Sequence, residues 1–411
     1  MKVLQGKKII LGVCGGIAAY KAADLCRLLV KEGAEVQVLM TRAAREFIAP
    51  LTFSVLSGRP CLSEMFGEEG VNPLLHIEVA QGADLLLIAP ATANIIAKLA
   101  WGLADDLLTT TALAVTCPAI LAPAMNVNMY NNPAVQENLD ILKRRGWGIV
   151  EPEEGELACG VKGKGRLASL EKIVAYARKA LFPQDLAGKV FLITAGGTRE
   201  PLDPVRFISN RSSGKMGHAL AQAAWERGAR VLLVSAAQGI EPPWGVEYYP
   251  VETAADMAEK VLSLFPEADV VIKAAAVADF RPAEVAGEKI KKGDYKSFVL
   301  TLEPTVDILA ELGKSKRHQI LVGFAAETRE PLNEGALKMK AKNVDLMVVN
   351  DVTLEGAGFG SDTNIVTLLR PDGRKEELPR LPKLEVAHRI LNAVKELPRF
   401  KEKAEILTQK E

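Results

Sequence analysis

One pattern, written twice, constrains this chain most. A short unbroken apolar run ends in a Gly-Gly turn, a helix-like stretch follows, and Gly-Ala leads into a second apolar run. The first copy runs Lys7-Lys8-Ile9-Ile10-Leu11-Gly12-Val13 into Cys14-Gly15-Gly16, with a helix expected over 18–31 and Gly33-Ala34 before a strand at 36–40. The second runs Lys189-Val190-Phe191-Leu192-Ile193-Thr194-Ala195 into Gly196-Gly197, with a helix over 218–227 and Gly228-Ala229 before a strand at 231–235. A glycine just past a helix is the expected stop. A later pair matches too: 83–88 runs into Ala89-Pro90-Ala91-Thr92-Ala93-Asn94, and 268–272 into Lys273-Ala274-Ala275-Ala276-Val277-Ala278-Asp279. Strands without polar alternation are covered on both faces, and strands alternating with helices build parallel sheets. The fold class predicted is therefore α/β, with two doubly wound parallel-sheet, Rossmann-like domains.

The 411 residues exceed what one core normally holds. The seam is expected at Ala180–Gly188, giving domains over 1–182 and 189–400, a linker at 183–188 and a charged tail at 401–411. Lys plus Arg and Asp plus Glu both total 51, so net charge gives no reason to expect nucleic acid as a partner. No run approaches the ~20 apolar residues of a membrane span, and the N-terminus enters a strand directly. A cytoplasmic chain is expected. The five cysteines (Cys14, Cys26, Cys61, Cys117, Cys159) are scattered without a C-x-x-C pair, against disulfide scaffolding or structural zinc.

Ligands of open parallel sheets bind beyond the carboxyl ends of strands. That rule points to the two Gly-Gly turns, to Pro90–Asn94 and to Lys273–Asp279. Gly15-Gly16 before a helix suits an anion but equally suits a plain turn, and it is not the G-x-G-x-x-G fingerprint. Pro123-Ala124-Met125-Asn126 offers an amide beside soft apolar surface, or simply a turn with core methionines. Leu157-Ala158-Cys159-Gly160-Val161-Lys162-Gly163-Lys164-Gly165-Arg166 puts a thiol in a basic, glycine-rich loop able to close over an anion, or makes a surface hairpin with solvated lysines. Taken alone, His76 is more often structural than catalytic. In the second half, Ser209-Asn210-Arg211-Ser212-Ser213-Gly214-Lys215-Met216 suits a phosphate, yet the upstream glycine of a P-loop is absent and Met216 follows the lysine. Lys289-Ile290-Lys291-Lys292 is either a solvated face or a counter-charge for a triphosphate. Lys338, Lys340 and Lys342 fall on a predicted helix, where the first and last share a face.

Together, Gly15-Gly16-Ile17-Ala18-Ala19-Tyr20-Lys21, Pro90-Ala91-Thr92-Ala93-Asn94, the Pro-Ala-Met-Asn stretch from Pro123 and the Ala-Cys-Gly loop from Ala158 resemble the flavin-containing cysteine decarboxylases, the phosphopantothenoylcysteine decarboxylases in particular. The resemblance covers about residues 5–180 and implies a flavodoxin-like domain with bound FMN near Gly15, Gly16, Ile17, Thr41, Pro90, Ala91, Thr92 and Asn94. It implies that the flavin oxidises the substrate thiol and that the resulting thioaldehyde eases loss of CO2. His76 would assist that half, Asn126 would hold the departing carboxylate, and Cys159 would donate the proton that completes the product. Val161 and Lys164 stand where some relatives carry Asp and Pro.

The stretches from Thr194, Ser209 and Lys273, with Lys289–Lys292 and Gly323-Phe324-Ala325-Ala326-Glu327-Thr328, resemble the phosphopantothenate–cysteine ligases over about residues 188–400. Fused in this order, the two halves resemble the bifunctional coenzyme A biosynthesis family. The resemblance implies that CTP, with Mg2+, converts the carboxylate of 4'-phosphopantothenate into an acyl-cytidylate that the cysteine amine attacks. Asn210 would grip the acyl intermediate and Lys289 support the second step. Lys273, Ala274, Ala275, Asp279, Lys289, Val306, Asp307, Ile308, Leu309, Phe324, Lys338 and Lys342 would bind CTP. Metal ligands are not assigned. A homo-oligomer, by resemblance a dodecamer, is implied. The alternative is a CTP-dependent ligase whose flavin half is a non-catalytic oligomerising scaffold; a flavin enzyme acting on another cysteine compound or on a prenyl donor fits the fused ligase poorly.

Overall fold

The computed structural model describes residues 3–65, 74–156, 160, 162–291, 299–327, 330–351 and 360–400. The chain divides into two compact units, Met1–Pro183 and Gln184–Glu411.

In the first unit, β1 (Lys8–Val13), β2 (Glu35–Met40), β3 (Leu85–Ala91), β4 (Ala119–Pro123) and β5 (Gly148–Ile149) form a wholly parallel sheet in the order β2-β1-β3-β4-β5. β3 is buried at every residue, as its unbroken Leu-Leu-Leu-Ile-Ala-Pro-Ala run requires. Helices cover both faces, with Ile9, Leu11 and Leu87 in one core and Ile10, Leu86 and Ile88 in the other. Strand order reverses between β1 and β3, which opens the crevice where ligands of such sheets sit. Two sequence expectations shift here. β3 runs on through Pro90 and Ala91 instead of ending at Ile88, and the Ala89–Pro90 bond is cis. The helix expected from Ala18 begins as a 3-10 turn, Ile17–Tyr20, before the α-helix Lys21–Lys31. A hairpin of β6 (Glu153–Glu156) and β7 (Lys162–Arg166) follows the sheet.

In the second unit, β8 (Val190–Ala195) is followed by a small hairpin of β9 (Arg199–Pro201) and β10 (Phe207–Ser209). Then come β11 (Arg230–Ser235), β12 (Glu247–Pro250) and β13 (Val270–Lys273), and a second hairpin of β14 (Phe280–Pro282) and β15 (Leu302–Pro304). β16 (Ile320–Glu327), β17 (Leu346–Asp351), β18 (Thr363–Leu369) and β19 (Lys375–Pro382) finish an eight-stranded sheet in the order β12-β11-β8-β13-β16-β17-β18-β19. The strands from β12 to β17 are parallel, and the order reverses between β8 and β13. β18 and β19 are antiparallel, a departure from the purely parallel expectation. The reason is local. Along Thr363–Leu369 half-buried and buried residues alternate over the first six positions, as in a strand with one covered face.

Candidate active sites

In the first unit, the turns after β1, β2, β3 and β4 converge on a cavity of about 1340 Å³. Gly15 is there because nothing larger fits. A Cβ on it would lie 2.5 Å from the Ala43 Cβ and 2.7 Å from the Ala43 carbonyl oxygen. A Cβ on Gly16 would meet only Thr92 Cγ2, at 3.7 Å, so the floor is bare backbone facing open space. Thr41 and Thr92 use their hydroxyls as helix caps, accepting from the amides of Ala44 (3.3 Å) and Ile95 (3.4 Å). Asn126 Oδ1 accepts from the Asn128 amide at 2.8 Å, which sets the turn after β4.

That turn is locked to the hairpin. The Met125 amide donates to the Gly165 carbonyl at 3.0 Å, and a Cβ on Gly165 would lie 2.3 Å from the Met125 oxygen. Lys164 pairs with Glu151 at 2.9 Å, and Glu151 accepts from the Tyr130 hydroxyl at 2.5 Å. Burial works against the Glu151 charge, but the Tyr130 and Lys164 partners hold its pKa below the usual value. Lys164 is therefore a latch on the hairpin, a role its sequence position did not suggest.

Gly15, Gly16, Ile17, Thr41, Pro90, Thr92, Asn94 and Asn126 all line this cavity. Ala91 is fully buried in β3 beneath it. His76 lies on the helix Leu75–Gln81, outside the described lining, and its buried Nδ1 has no hydrogen-bond partner among the described residues. Cys159 and Val161 lie outside the described residues, although Gly160 and Gly165 on either side reach the cavity. Among the described residues the cysteine lining it is Cys14, whose burial pushes its thiol up to about 12, too weak an acid for proton delivery near neutrality. Sequence reasoning missed Arg42, Lys98 and Asp106 on the wall, each from a different segment and without a motif to announce it; Arg166, which also lines it, closes the glycine-rich loop the sequence singled out.

In the second unit, two cavities of about 270 and 380 Å³ open where the order reverses between β8 and β13. Buried hydroxyls shape their floor. Thr194 Oγ1 accepts from the Ala275 amide at 3.1 Å and Thr198 Oγ1 from the Ala278 amide at 2.9 Å. Asn210 Nδ2 donates to the carbonyls of Ala276 and Val277, both at 3.1 Å. Gly217 allows the helix Lys215–Glu226 to lie against β8, since a Cβ there would fall 2.5 Å from the Ala195 Cβ.

The smaller cavity takes in Lys273, Ala274, Ala275, Asp279, Leu309, Phe324, Lys338 and Lys342. Burial pushes the Lys273 ammonium pKa down, Lys342 adds to the push, and Asp307 and Asp279 oppose it. Asp307 is beside this cavity, not in it. It caps the helix Ile308–Ser315 through the Ala310 amide (3.1 Å) and pairs with Lys342 at 2.7 Å. Burial disfavours its charge, yet the Lys342 bond and the Ala310 amide hold its pKa below the ordinary value. Val306 is partly exposed and Ile308 is core; neither lines the cavity. Lys342 is the C-terminal cap of the helix Pro331–Ala341, one residue past the helical run expected to hold all three lysines. Asn210 lines the larger cavity. Lys289 is exposed and lines neither, and Lys292 lies outside the described residues. The loop around Lys289 is tied down by Asp203, whose carboxylate accepts from the amides of Val205 (2.8 Å), Arg206 (2.8 Å) and Ile290 (3.2 Å). Lys383 and Asn364, which no motif announced, reach the smaller cavity from the antiparallel edge of the sheet.

One parallel and one mostly parallel sheet, each with a basic cavity at its switch point, place both halves in the class of doubly wound α/β ligand-binding domains. The family model described as Flavoprotein matches residues 2–182, and that of the DNA/pantothenate metabolism flavoprotein C-terminal domain matches residues 186–397. Coenzyme A biosynthesis bifunctional protein CoaBC of Bacillus subtilis (strain 168) is 51% identical over 396 residues, covering 95% of this chain and 97% of its own. The protein of the same name in Mycobacterium tuberculosis (strain ATCC 25618 / H37Rv) is 43% identical over 404 residues, covering 94% and 96%. A crystal structure of the C-terminal domain of such a protein is 46% identical over 51% of this chain and 96% of its own, with a TM-score of 0.44. The chain belongs to the bifunctional enzymes of coenzyme A biosynthesis, with a flavoprotein domain followed by a pantothenate-metabolism flavoprotein C-terminal domain.

Proposed function

We propose that the second unit uses CTP to join cysteine to 4'-phosphopantothenate and that the first decarboxylates the product, 4'-phosphopantothenoylcysteine, to 4'-phosphopantetheine. The observation that carries the ligase half is the pair of adjoining cavities. One presents Lys273, Lys338 and Lys342, and the other presents Asn210. Three ammonium groups suit a triphosphate, and an amide suits an acyl group beside it. A carboxylate acylates poorly until one of its oxygens becomes part of a phosphate leaving group, which is why a nucleotide site must adjoin the acid site. Leu309 lines the nucleotide end and Asp307 orients Lys342 from beside it, while Val306 and Ile308 would support that stretch from outside the cavity. Lys289 serves the second step, attack by the cysteine amine, from the loop that Asp203 anchors. No group of three or more His, Cys, Asp or Glu able to hold a metal occurs among the described residues. Mg2+ would arrive on the triphosphate, which supplies most of its oxygens.

FMN fits the first cavity on two counts. The bare backbone at Gly16 leaves room for a phosphate at a helix start, and 1340 Å³ exceeds what a drug-sized ligand needs. Gly15, Gly16, Ile17, Thr41, Pro90, Ala91, Thr92 and Asn94 would hold it, Ala91 from beneath. The flavin supplies the two-electron chemistry that makes loss of CO2 easy. Asn126 would hold the substrate carboxylate through its amide. Cys159 would deliver a proton from the loop whose flanks, Gly160 and Gly165, reach the cavity. His76 would assist the first half. The chain is further proposed to work in the cytoplasm as a homo-oligomer; Leu51 and Val55, one helical turn apart and 72% and 74% exposed, are apolar surface that an assembly would cover. The test is product analysis with the substrates of both halves, described at the close of the Discussion.

A further inference from the structure

We infer that Lys215 is a catalytic residue of nucleotide activation, stabilising the charge that moves onto pyrophosphate as the acyl-cytidylate forms. The inference rests on the CTP reading of the second unit. It starts from a juxtaposition: Ser212, Ser213 and Lys215 line both cavities, and of these Lys215 alone carries charge. Of the three lysines assigned to the triphosphate, none lines the cavity that holds Asn210. A group serving the bond between nucleotide and acid has to stand where the two cavities meet.

Among the described residues, the side chain is held only by exposed partners. Lys215 Nζ is 2.6 Å from Asp362 Oδ1 and 3.1 Å from the Gly360 carbonyl oxygen. The Asp362 side chain is 88% exposed, so this pair is weak and easily exchanged for a polyanion. Behind it Lys383 donates to the Ser361 carbonyl, and its charge is disfavoured first by burial and then by Lys215 itself. Two ammonium groups crowd one carboxylate, and a phosphate oxygen entering between them relieves both.

The step balances without a proton or a redox partner. A carboxylate oxygen of 4'-phosphopantothenate bonds to the α-phosphorus of CTP. The bond from that phosphorus to the oxygen bridging to the β-phosphate breaks, and its electron pair leaves on pyrophosphate. Negative charge grows on the leaving group in the transition state, so a cation there raises the rate more than the affinity. Ser212-Ser213-Gly214-Lys215 thus supplies a phosphate-facing lysine without the geometry of a P-loop.

The test is single-turnover pyrophosphate release by the full chain with 4'-phosphopantothenate, CTP and Mg2+, without cysteine, beside CTP binding measured by calorimetry. For Lys215→Met the expected result is a release rate about 10²–10³-fold below wild type at saturating CTP, with the CTP dissociation constant within about fivefold. Lys215→Arg should restore at least a tenth of the rate and, by binding CTP, shows that the unit is folded. A Met variant within threefold of wild type, or one that loses affinity while keeping its saturated rate, overturns the assignment. If wild type itself releases no pyrophosphate, the nucleotide reading falls, and the assignment with it.

Discussion

Lys273 carries a charge that its surroundings resist. Its pKa is held down by burial and by Lys342, so between that depressed value and 10.5 the unfolded chain binds a proton that the folded chain does not. Stability contributed by this residue therefore rises with pH across that window. Lys273→Met should raise the unfolding midpoint of the chain at neutral pH, by roughly 2–4 °C, and remove that alkaline gain. The same change should weaken CTP binding by at least about tenfold. Calorimetric scans with and without CTP check both, and a variant that is neither stabilised nor impaired contradicts the placement. In the first unit, Cys159→Ser should leave flavin binding intact while an oxidised, decarboxylated product accumulates in place of the saturated one, as seen by mass spectrometry. Unchanged product would remove Cys159 from the chemistry. Single residues were legible unevenly. Asn126, Asn210 and Lys273 sit in local motifs, and each lines a cavity. Lys164 looked like a solvated loop residue because its partner Glu151 is thirteen positions away, a pairing that only the hairpin creates. Lys383 was silent because the antiparallel edge, not a motif, carries it to the smaller cavity.

At the scale of the element, two turns carry most of the geometry. The turn after β1 lies against the turn after β2, with Gly15 at the contact. Gly15→Ala forces a Cβ to within 2.5 Å of Ala43 and should displace both turns. FMN affinity, read by fluorescence quenching, should fall at least about tenfold while the ligase half keeps its rate; undiminished flavin binding would show that this turn does not form the cradle. The helix Ile308–Ser315 depends on Asp307 as cap and as partner of Lys342. Asp307→Ala should cost about 1 kcal/mol, a typical cap, since the ion pair itself is half exposed and adds little. Because the folded pKa of Asp307 is depressed, its contribution is complete above the ordinary aspartate value of 3.8 and is lost as pH falls through the folded value. The gap between wild type and variant should therefore close in acid, and a pH-independent gap would contradict this account. Strands and helices were well announced by apolar runs and Gly stops. The extension of β3 through Pro90 was not, because proline reads as a strand end unless its missing donor is tolerated at that position.

For the whole molecule, the repeated strand–turn–helix pattern makes two α/β units with parallel sheet cores readable in the sequence. The mixed edge of the second sheet was not readable, since β18 and β19 add on after the pattern has finished. The proposed function puts both reactions in one chain, ligation in the second unit and decarboxylation in the first. The most direct measurement supplies the purified chain, loaded with FMN, with 4'-phosphopantothenate, cysteine, CTP and Mg2+, and weighs the products. The expected product is 4'-phosphopantetheine, with 4'-phosphopantothenoylcysteine appearing only in passing. Accumulation of 4'-phosphopantothenoylcysteine alone would contradict it, leaving a ligase attached to a non-catalytic flavin scaffold.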